Sequence, residues 1–425
     1  MFLVEGGHRL SGTITAAGNK NAALPILAAT LLTDEPVTLR NLPRIGDVET
    51  LLRLLEQIGA RITERGPNEI TIETAAIRAT DLDPQLCQKI RASILLAGPL
   101  VSRQGEVRLA EPGGDSIGRR RIDTHFLALR ALGATVTAGD DGTITLRARE
   151  LRAADIFLDE ASVTGTENAI MGATLAPGTT TIANAASEPH VQDLCHFLNK
   201  LGARIGGIGT NTLTIEGVER LHGGDFRISA DHIEVGSYIG LAAATGSEIL
   251  IKDAVPRHLR MTNYTFARLG IAVEQRGDDL FVPGEQSLEV QDDLHGAIPK
   301  IDDGPWPAFP ADLTSIAVVT ATQARGTVLI FEKMFESRLF FVDKLIQMGA
   351  RIVLCDPHRV VVVGPSPLHA ETLSSPDIRA GMALLIAALA AHGTSAIHNV
   401  DQIDRGYERL DERLQALGAR IERRG

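Results

Sequence analysis

Cysteine is scarce. The 425 residues hold three, Cys87, Cys195 and Cys355, an odd number set far apart, which argues against a disulfide framework and against a zinc site. Long apolar runs are missing as well. The longest, Ala380 to Ala391, falls far short of the roughly 20 residues that span a bilayer, so no membrane partner is expected. The N-terminus has no signal-peptide pattern, which makes the cytoplasm the expected address and the Asn263-Tyr264-Thr265 sequon meaningless as a glycan site. Positive charge is in deficit too. A formal net charge of -11 disfavours a general nucleic-acid role, since neutralising phosphates requires a basic surface. The common cofactor signatures are absent: no G-x-x-x-x-G-K-[ST] loop, no H-E-x-x-H, no C-x-x-C and no G-x-G-x-x-G between a strand and a helix. Gly206-Gly207-Ile208-Gly209 precedes the strand-like Leu213-Thr214-Ile215 and reads as a hairpin turn. Neither a metal nor a cofactor is expected.

What the chain does have is a repeat. A helix-like stretch ends six times in an aliphatic residue and glycine, then turns into a β-like run, at Gly59, Gly133, Gly202, Gly270, Gly349 and Gly418, in steps of 74, 69, 68, 79 and 69 residues. A second series, Gly105, Gly178, Gly246, Gly326 and Gly393, keeps step at 73, 68, 80 and 67, with Asp34-Glu35-Pro36 in the first slot. Each unit reads helix, strand, helix, strand, strand, closed by runs such as Ile70-Thr71-Ile72 and Ile144-Thr145-Leu146. A helix C-terminal cap often needs positive φ, which glycine adopts cheaply. A period near 70 exceeds that of solenoids and propellers, so each copy is a sizeable α/β block, and six copies divide naturally into two sets of three. A hydrophobic content of 44% with 22% charged residues supplies ample core.

Arginines cluster at Arg119-Arg120-Arg121, where a local basic patch on an acidic protein can focus a small anion or simply be a solvated turn. Asp123-x-His125 admits two readings as well, half of a catalytic relay or a helix-start carboxylate beside a packed histidine.

Four segments make the chain recognisable: Gly18-Asn19-Lys20-Asn21-Ala22-Ala23-Leu24-Pro25, Ile90-Arg91-Ala92-Ser93, Pro112-Gly113-Gly114-Asp115-Ser116-Ile117-Gly118 and Ile403-Asp404-Arg405-Gly406-Tyr407-Glu408. With Ser162-Val163, Thr166-Glu167-Asn168, Glu188-Pro189, Phe309-Pro310-Ala311-Asp312 and Phe335-Glu336-Ser337-Arg338, they resemble the signatures of the UDP-N-acetylglucosamine enolpyruvyl transferases (1-carboxyvinyltransferases), over the whole chain. The resemblance implies a two-domain inside-out α/β barrel, residues 20–230 forming one three-repeat domain and 1–19 with 231–425 the other, closing on substrate. It implies phosphoenolpyruvate and UDP-N-acetylglucosamine as substrates of a transferase that opens peptidoglycan synthesis. Oligomeric state is not legible.

Phosphoenolpyruvate carries a phosphate and a carboxylate, and guanidinium forks suit both. The family's clamp maps onto Lys20, Asn21, Arg91, Arg120, Arg338, Arg379 and Arg405, and its nucleotide-sugar contacts onto Arg91, Arg120, Arg121, Ile122, Asp123, Thr124, Ser162, Val163, Asp312 and Met334. An alcohol attacks the enol carbon only when a base takes its proton, a role that falls by resemblance to Asp312. Asp115 takes the proton-donor position, with Lys20 and Arg120 stabilising the departing phosphate. Most family members have cysteine at that position, the residue on which fosfomycin acts, so the aspartate implies fosfomycin resistance. Other departures touch the acceptor side: Arg121 for a usual proline, Thr164 for glycine, Ser187 and His190 around Glu188-Pro189 where charged residues are usual, and Glu160 at a place that is often basic or variable. They leave open a different nucleotide or nucleotide sugar as acceptor, or a non-catalytic ligand-binding paralogue.

Overall fold

The structure, a computed structural model, describes residues 1–115 and 117–425. Its backbone realises the glycine steps directly. Gly59, Gly133, Gly202, Gly270, Gly349 and Gly418 all have φ between 78° and 120°. At Gly59 a side chain is doubly excluded, because a Cβ would also lie 2.8 Å from the Ala76 carbonyl oxygen.

Each step delivers one small sheet. Among the described residues there are six, five of four strands and one of three. In a typical one, Val37–Arg40 pairs antiparallel with Glu69–Glu73, which pairs antiparallel with Arg61–Gly66, while Gly224–Arg227 joins Val37–Arg40 in parallel. The last strand is not visible as a β-type run, because Gly, Asp and Arg at a wet sheet edge have low strand propensity. The parallel additions Asp155–Phe157, Lys300–Asp302 and Thr372–Ser374 are not visible either, because each is only three residues long. In the three-stranded sheet, a lone parallel bridge from Asp81 to Arg108 stands where a fourth strand would be.

The chain divides into two compact units. A contiguous unit comprises Gly18–Asp115 and Arg120–Ser229; a split unit comprises Met1–Ala17 and Ala230–Gly425, with residues 117–119 grouped with it. Three sheets belong to each. In the contiguous unit the helices α1 (Lys20–Ala29), α2 (Ala97–Gln104) and α3 (Val163–Thr174) lie inside; in the split unit these are α4 (His232–Thr245), α5 (Thr314–Ala321) and α6 (Ile378–Ala390). Every residue of α4 from His232 to Ala244 is buried, the polar His232, Glu234 and Ser237 included, as expected of a helix that is mostly apolar on every side. Close approach explains its glycines: a Cβ on Gly240 would lie 2.5 Å from Ile316 Cγ2, and one on Gly236 2.6 Å from Leu313 Cδ1. The strands alternate instead, as in Glu248–Lys252, with one face on the helices and one toward solvent. Helices within and sheets without is the inside-out layout that the resemblance implies, built from separate small sheets rather than from a closed barrel among the described residues. No helix among the described residues is long and apolar enough to cross a membrane.

Candidate active site

In the contiguous unit the motif residues stand where chain direction changes. Asn19 caps α1, its Oδ1 accepting from the backbone of Asn21 at 2.8 Å and Ala22 at 3.1 Å, which fixes Lys20 as the first helical residue. The buried Lys20 Nζ lies 2.8 Å from Asp47 Oδ2, and Asn21 beside it is half-buried. Asp47 gave no signal in the sequence.

Arg91 opens the 3-10 run Arg91–Leu96 and donates from Nη2 to the carbonyl oxygens of Arg120 at 2.7 Å and Arg121 at 3.0 Å. Burial, aided by the Arg120 charge, lowers its pKa to about 10, so it stays cationic at neutral pH. Arg120 Nη2 donates to the Asp115 carbonyl oxygen at 2.7 Å. The loop before Asp115 tolerates no side chain at Gly113, whose Cβ would meet the Gln88 carbonyl oxygen at 1.7 Å. Beyond it, the Ile117 carbonyl accepts from Ser337 N at 3.2 Å and Arg119 N donates to Glu336 Oε1 at 3.0 Å. The aliphatic Ile122 caps the helix Asp123–Ala131 without a side-chain hydrogen bond.

Arg121 bonds to Asp159 at 2.8 Å and Asp123 at 3.3 Å, while the Thr124 hydroxyl donates to Asp159 Oδ1 at 2.8 Å. Ser162 caps α3 by accepting from Gly165 N at 3.2 Å, and Val163 is its first residue. His125 is fully buried, and burial lowers its pKa to about 3, which leaves it neutral. Its Nδ1 lies 2.7 Å from Asn168 Nδ2 and its Nε2 3.0 Å from the Thr164 hydroxyl. Asp123-x-His125 is therefore a helix start and a packed histidine, not a relay.

The split unit holds the second cluster. Asp312, in the 3-10 turn ahead of α5, receives Arg338 Nη2 on Oδ1 at 2.9 Å and Arg379 Nε on Oδ2 at 3.2 Å. Both arginines are buried, at 3% and 4% exposure, yet Arg338 Nε and Nη1 and Arg379 Nη1 have no hydrogen-bond acceptor. Burial works against the Arg379 charge, but Asp312 and Tyr407 outweigh it and hold the group firmly cationic. Nearby, burial lowers the His232 pKa to about 4. Arg405 Nη1 donates to Gln402 Oε1 at 2.9 Å, and the half-exposed Met334 donates its N–H to Glu332 Oε1 at 3.3 Å. Glu332 was not singled out in the sequence. No group of three or more His, Cys, Asp or Glu able to hold a metal occurs among the described residues.

The clusters thus collect Arg91, Asp115, Arg120 and Arg121 in one unit and Asp312, Arg338 and Arg379 in the other. Removing the Arg91 fork takes two charge-assisted bonds from the 120–121 backbone, each worth about 1.5–3 kcal/mol. Arg91→Ala is expected to lower the melting temperature measurably, and an unchanged thermal unfolding curve would show that these two bonds do not hold the 120–121 backbone.

The family model for EPSP synthase (3-phosphoshikimate 1-carboxyvinyltransferase) matches residues 4–414. Among curated relatives, the UDP-N-acetylglucosamine 1-carboxyvinyltransferase of Bradyrhizobium diazoefficiens is 61% identical, covering 99% of this chain and 97% of its own. That of Treponema pallidum is 56% identical over 100% and 99%. Among solved structures, the enolpyruvyl transferase NikO from Streptomyces tendae superposes with a TM-score of 0.87 at 27% identity, over 99% of this chain and 98% of that one. EPSP synthase from Acinetobacter baumannii, 17% identical with a TM-score of 0.76 over 99% of both chains, shares the fold. A match that runs almost from end to end, over a chain whose paired arginines surround a carboxylate, places this protein in the EPSP synthase family of 1-carboxyvinyl (enolpyruvyl) transferases.

Proposed function

We propose that this chain transfers the enolpyruvyl group of phosphoenolpyruvate to the 3-hydroxyl of UDP-N-acetylglucosamine and releases phosphate, the step that opens peptidoglycan synthesis. The names and full-length identity of the curated relatives support the acceptor. The observation that carries the chemistry is the pair of buried arginines around Asp312 with guanidinium donors left over. A buried donor without an acceptor costs about 1–3 kcal/mol, more when charged. A small polyanion offsets that cost, and its competition for Arg338 and Arg379 loosens their hold on the Asp312 carboxylate.

In this reading the sugar hydroxyl adds to C2 of phosphoenolpyruvate as Asp312 accepts its proton, and Asp115 delivers a proton to the C3 methylene. The tetrahedral adduct then loses a C3 proton and inorganic phosphate, leaving the enol ether. Lys20, Arg120, Arg338, Arg379 and Arg405 supply the cations that meet phosphate and carboxylate. Arg121, Thr124, Ser162 and Val163 serve the nucleotide sugar.

Phosphate is expected to be released from phosphoenolpyruvate only when UDP-N-acetylglucosamine is also present, in chelator and without added nicotinamide. A coupled phosphate assay across nucleotide sugars tests this. Turnover with another acceptor and none with UDP-N-acetylglucosamine would overturn the assignment.

A further inference from the structure

Two carboxyl groups not used in that reaction lie behind Arg338. The strands Lys300–Asp302 and Gly326–Phe331 run parallel, with Asp302 opposite Phe331, and the next residue of each, Asp303 and Glu332, bring their carboxyl groups together just beyond the end of the pairing. Both are sealed from solvent, at 1% and 0% exposure. One oxygen of each is fully committed: Asp303 Oδ1 accepts from Lys333 N at 2.5 Å, and Glu332 Oε1 from Phe335 N at 3.1 Å and Met334 N at 3.3 Å. The others, Asp303 Oδ2 and Glu332 Oε2, receive no hydrogen bond from a protein donor. Two facing carboxylates cannot donate to one another; one proton between them satisfies both. Glu332 Oε2 also lies 3.7 Å from Arg338 Nε, on the guanidinium whose Nη2 holds Asp312.

We propose that Asp303 and Glu332 are an acid pair sharing one proton, and that this pair positions Arg338 while leaving its charge to Asp312 and the phosphoenolpyruvate anion. Loss of the shared proton to solvent gives Glu332 a full charge against Arg338, which then draws the guanidinium away from Asp312. The groups around Glu332 are consistent with a retained proton. The Lys333 ammonium is engaged by Asp302, and His358, from the turn between Arg351–Asp356 and Arg359–Gly364, meets the Glu332 backbone carbonyl rather than its carboxyl; Thr314 from α5, whose hydroxyl faces the carboxyl, and Arg338 are the groups that oppose retention. Burial first, and then Asp303 against the opposing pull of Arg338, raise the Glu332 pKa to about 8. The pair is a positioning device and touches neither substrate nor the reacting atoms.

The inference rests on the reaction proposed above, and its test separates the two. The pH dependence of kcat/KM for phosphoenolpyruvate in the wild type is expected to fall as pH rises past about 8, as Glu332 ionises. Glu332→Gln places an N–H where the shared proton lies. It is expected to stay within about threefold of wild type at neutral pH and to lose that basic limb. Asp303→Asn removes the neighbouring charge and lets Glu332 ionise sooner, so its limb is expected to move about one unit or more toward acid. A readout independent of turnover is the infrared C=O stretch of a protonated carboxyl, expected in the wild-type minus Glu332→Gln difference spectrum at pH 7 and lost by pH 10. A limb that persists in Glu332→Gln, a limb unmoved in Asp303→Asn, or a missing carboxyl band overturns the proposal. A wild type that releases no phosphate would sink the proposed reaction alone, since the infrared measurement still decides the pair.

Discussion

Asp312→Asn is expected to lower kcat by roughly 100-fold or more while acceptor binding survives at least in part. The amide keeps the shape of the side chain but cannot accept the hydroxyl proton. It also turns one of the two oxygens that hold Arg338 and Arg379 into a donor facing a guanidinium. Removing one partner from a buried charge pair costs several kcal/mol, less here because the Asp312 side chain is 28% exposed. A lower melting temperature is therefore part of the expected result, and kcat is read well below it. Titration of UDP-N-acetylglucosamine by calorimetry separates lost binding from lost chemistry. Near-wild-type turnover in a folded Asp312→Asn protein would assign the base elsewhere.

Asp115→Asn is expected to abolish most turnover, because an amide cannot protonate the methylene carbon. Its backbone partner survives, since Arg120 bonds the residue 115 carbonyl, so the loss is one of chemistry rather than of loop placement. The companion result uses fosfomycin, whose epoxide is opened by a nucleophilic thiolate. The unmodified chain is expected to remain active in the compound and to gain no mass. Asp115→Cys is expected to keep turnover and to acquire both sensitivity and the covalent adduct. Intact-protein mass spectrometry and phosphate release read both arms. An adduct on the unmodified chain, or full activity in Asp115→Asn, would remove Asp115 from the proton-donor role.

The repeat was legible because it is written in residues with a local backbone reason. Gly59 and its five counterparts sit at positive φ, where other residues are strained, so the period is visible without any knowledge of packing. The helix Ile378–Ala390 was legible as the apolar run Ala380 to Ala391, although nothing local says that it lies inside the sheets. Asp312, Arg338 and Arg379 were found through motif resemblance, but their mutual hydrogen bonds come from three different segments meeting. The Lys20–Asp47 pair and the facing of Asp303 and Glu332 had no sequence signal at all. The second depends on a parallel register between distant strands, and a register is a property of the assembled sheet. The edge strand Gly224–Arg227 escaped for the opposite reason, since its pairing outweighs an unfavourable composition.

The pairing of the first strand sets an order for synthesis. Phe2–Glu5 lies between Thr394–His398 and Arg420–Arg423, and Ser11–Thr15 pairs with Glu248–Lys252. A growing chain therefore releases the whole contiguous unit, which ends at Ser229, before either of its first two strands has a partner. That unit is free to fold on the ribosome at once, as domains generally do during synthesis. The leading strands must wait, Ser11–Thr15 for Glu248–Lys252 and Phe2–Glu5 for Thr394–His398 and Arg420–Arg423, carrying unpaired edges that other chains can join. The vulnerable interval in the life of this protein is thus the one before its C-terminal strand arrives.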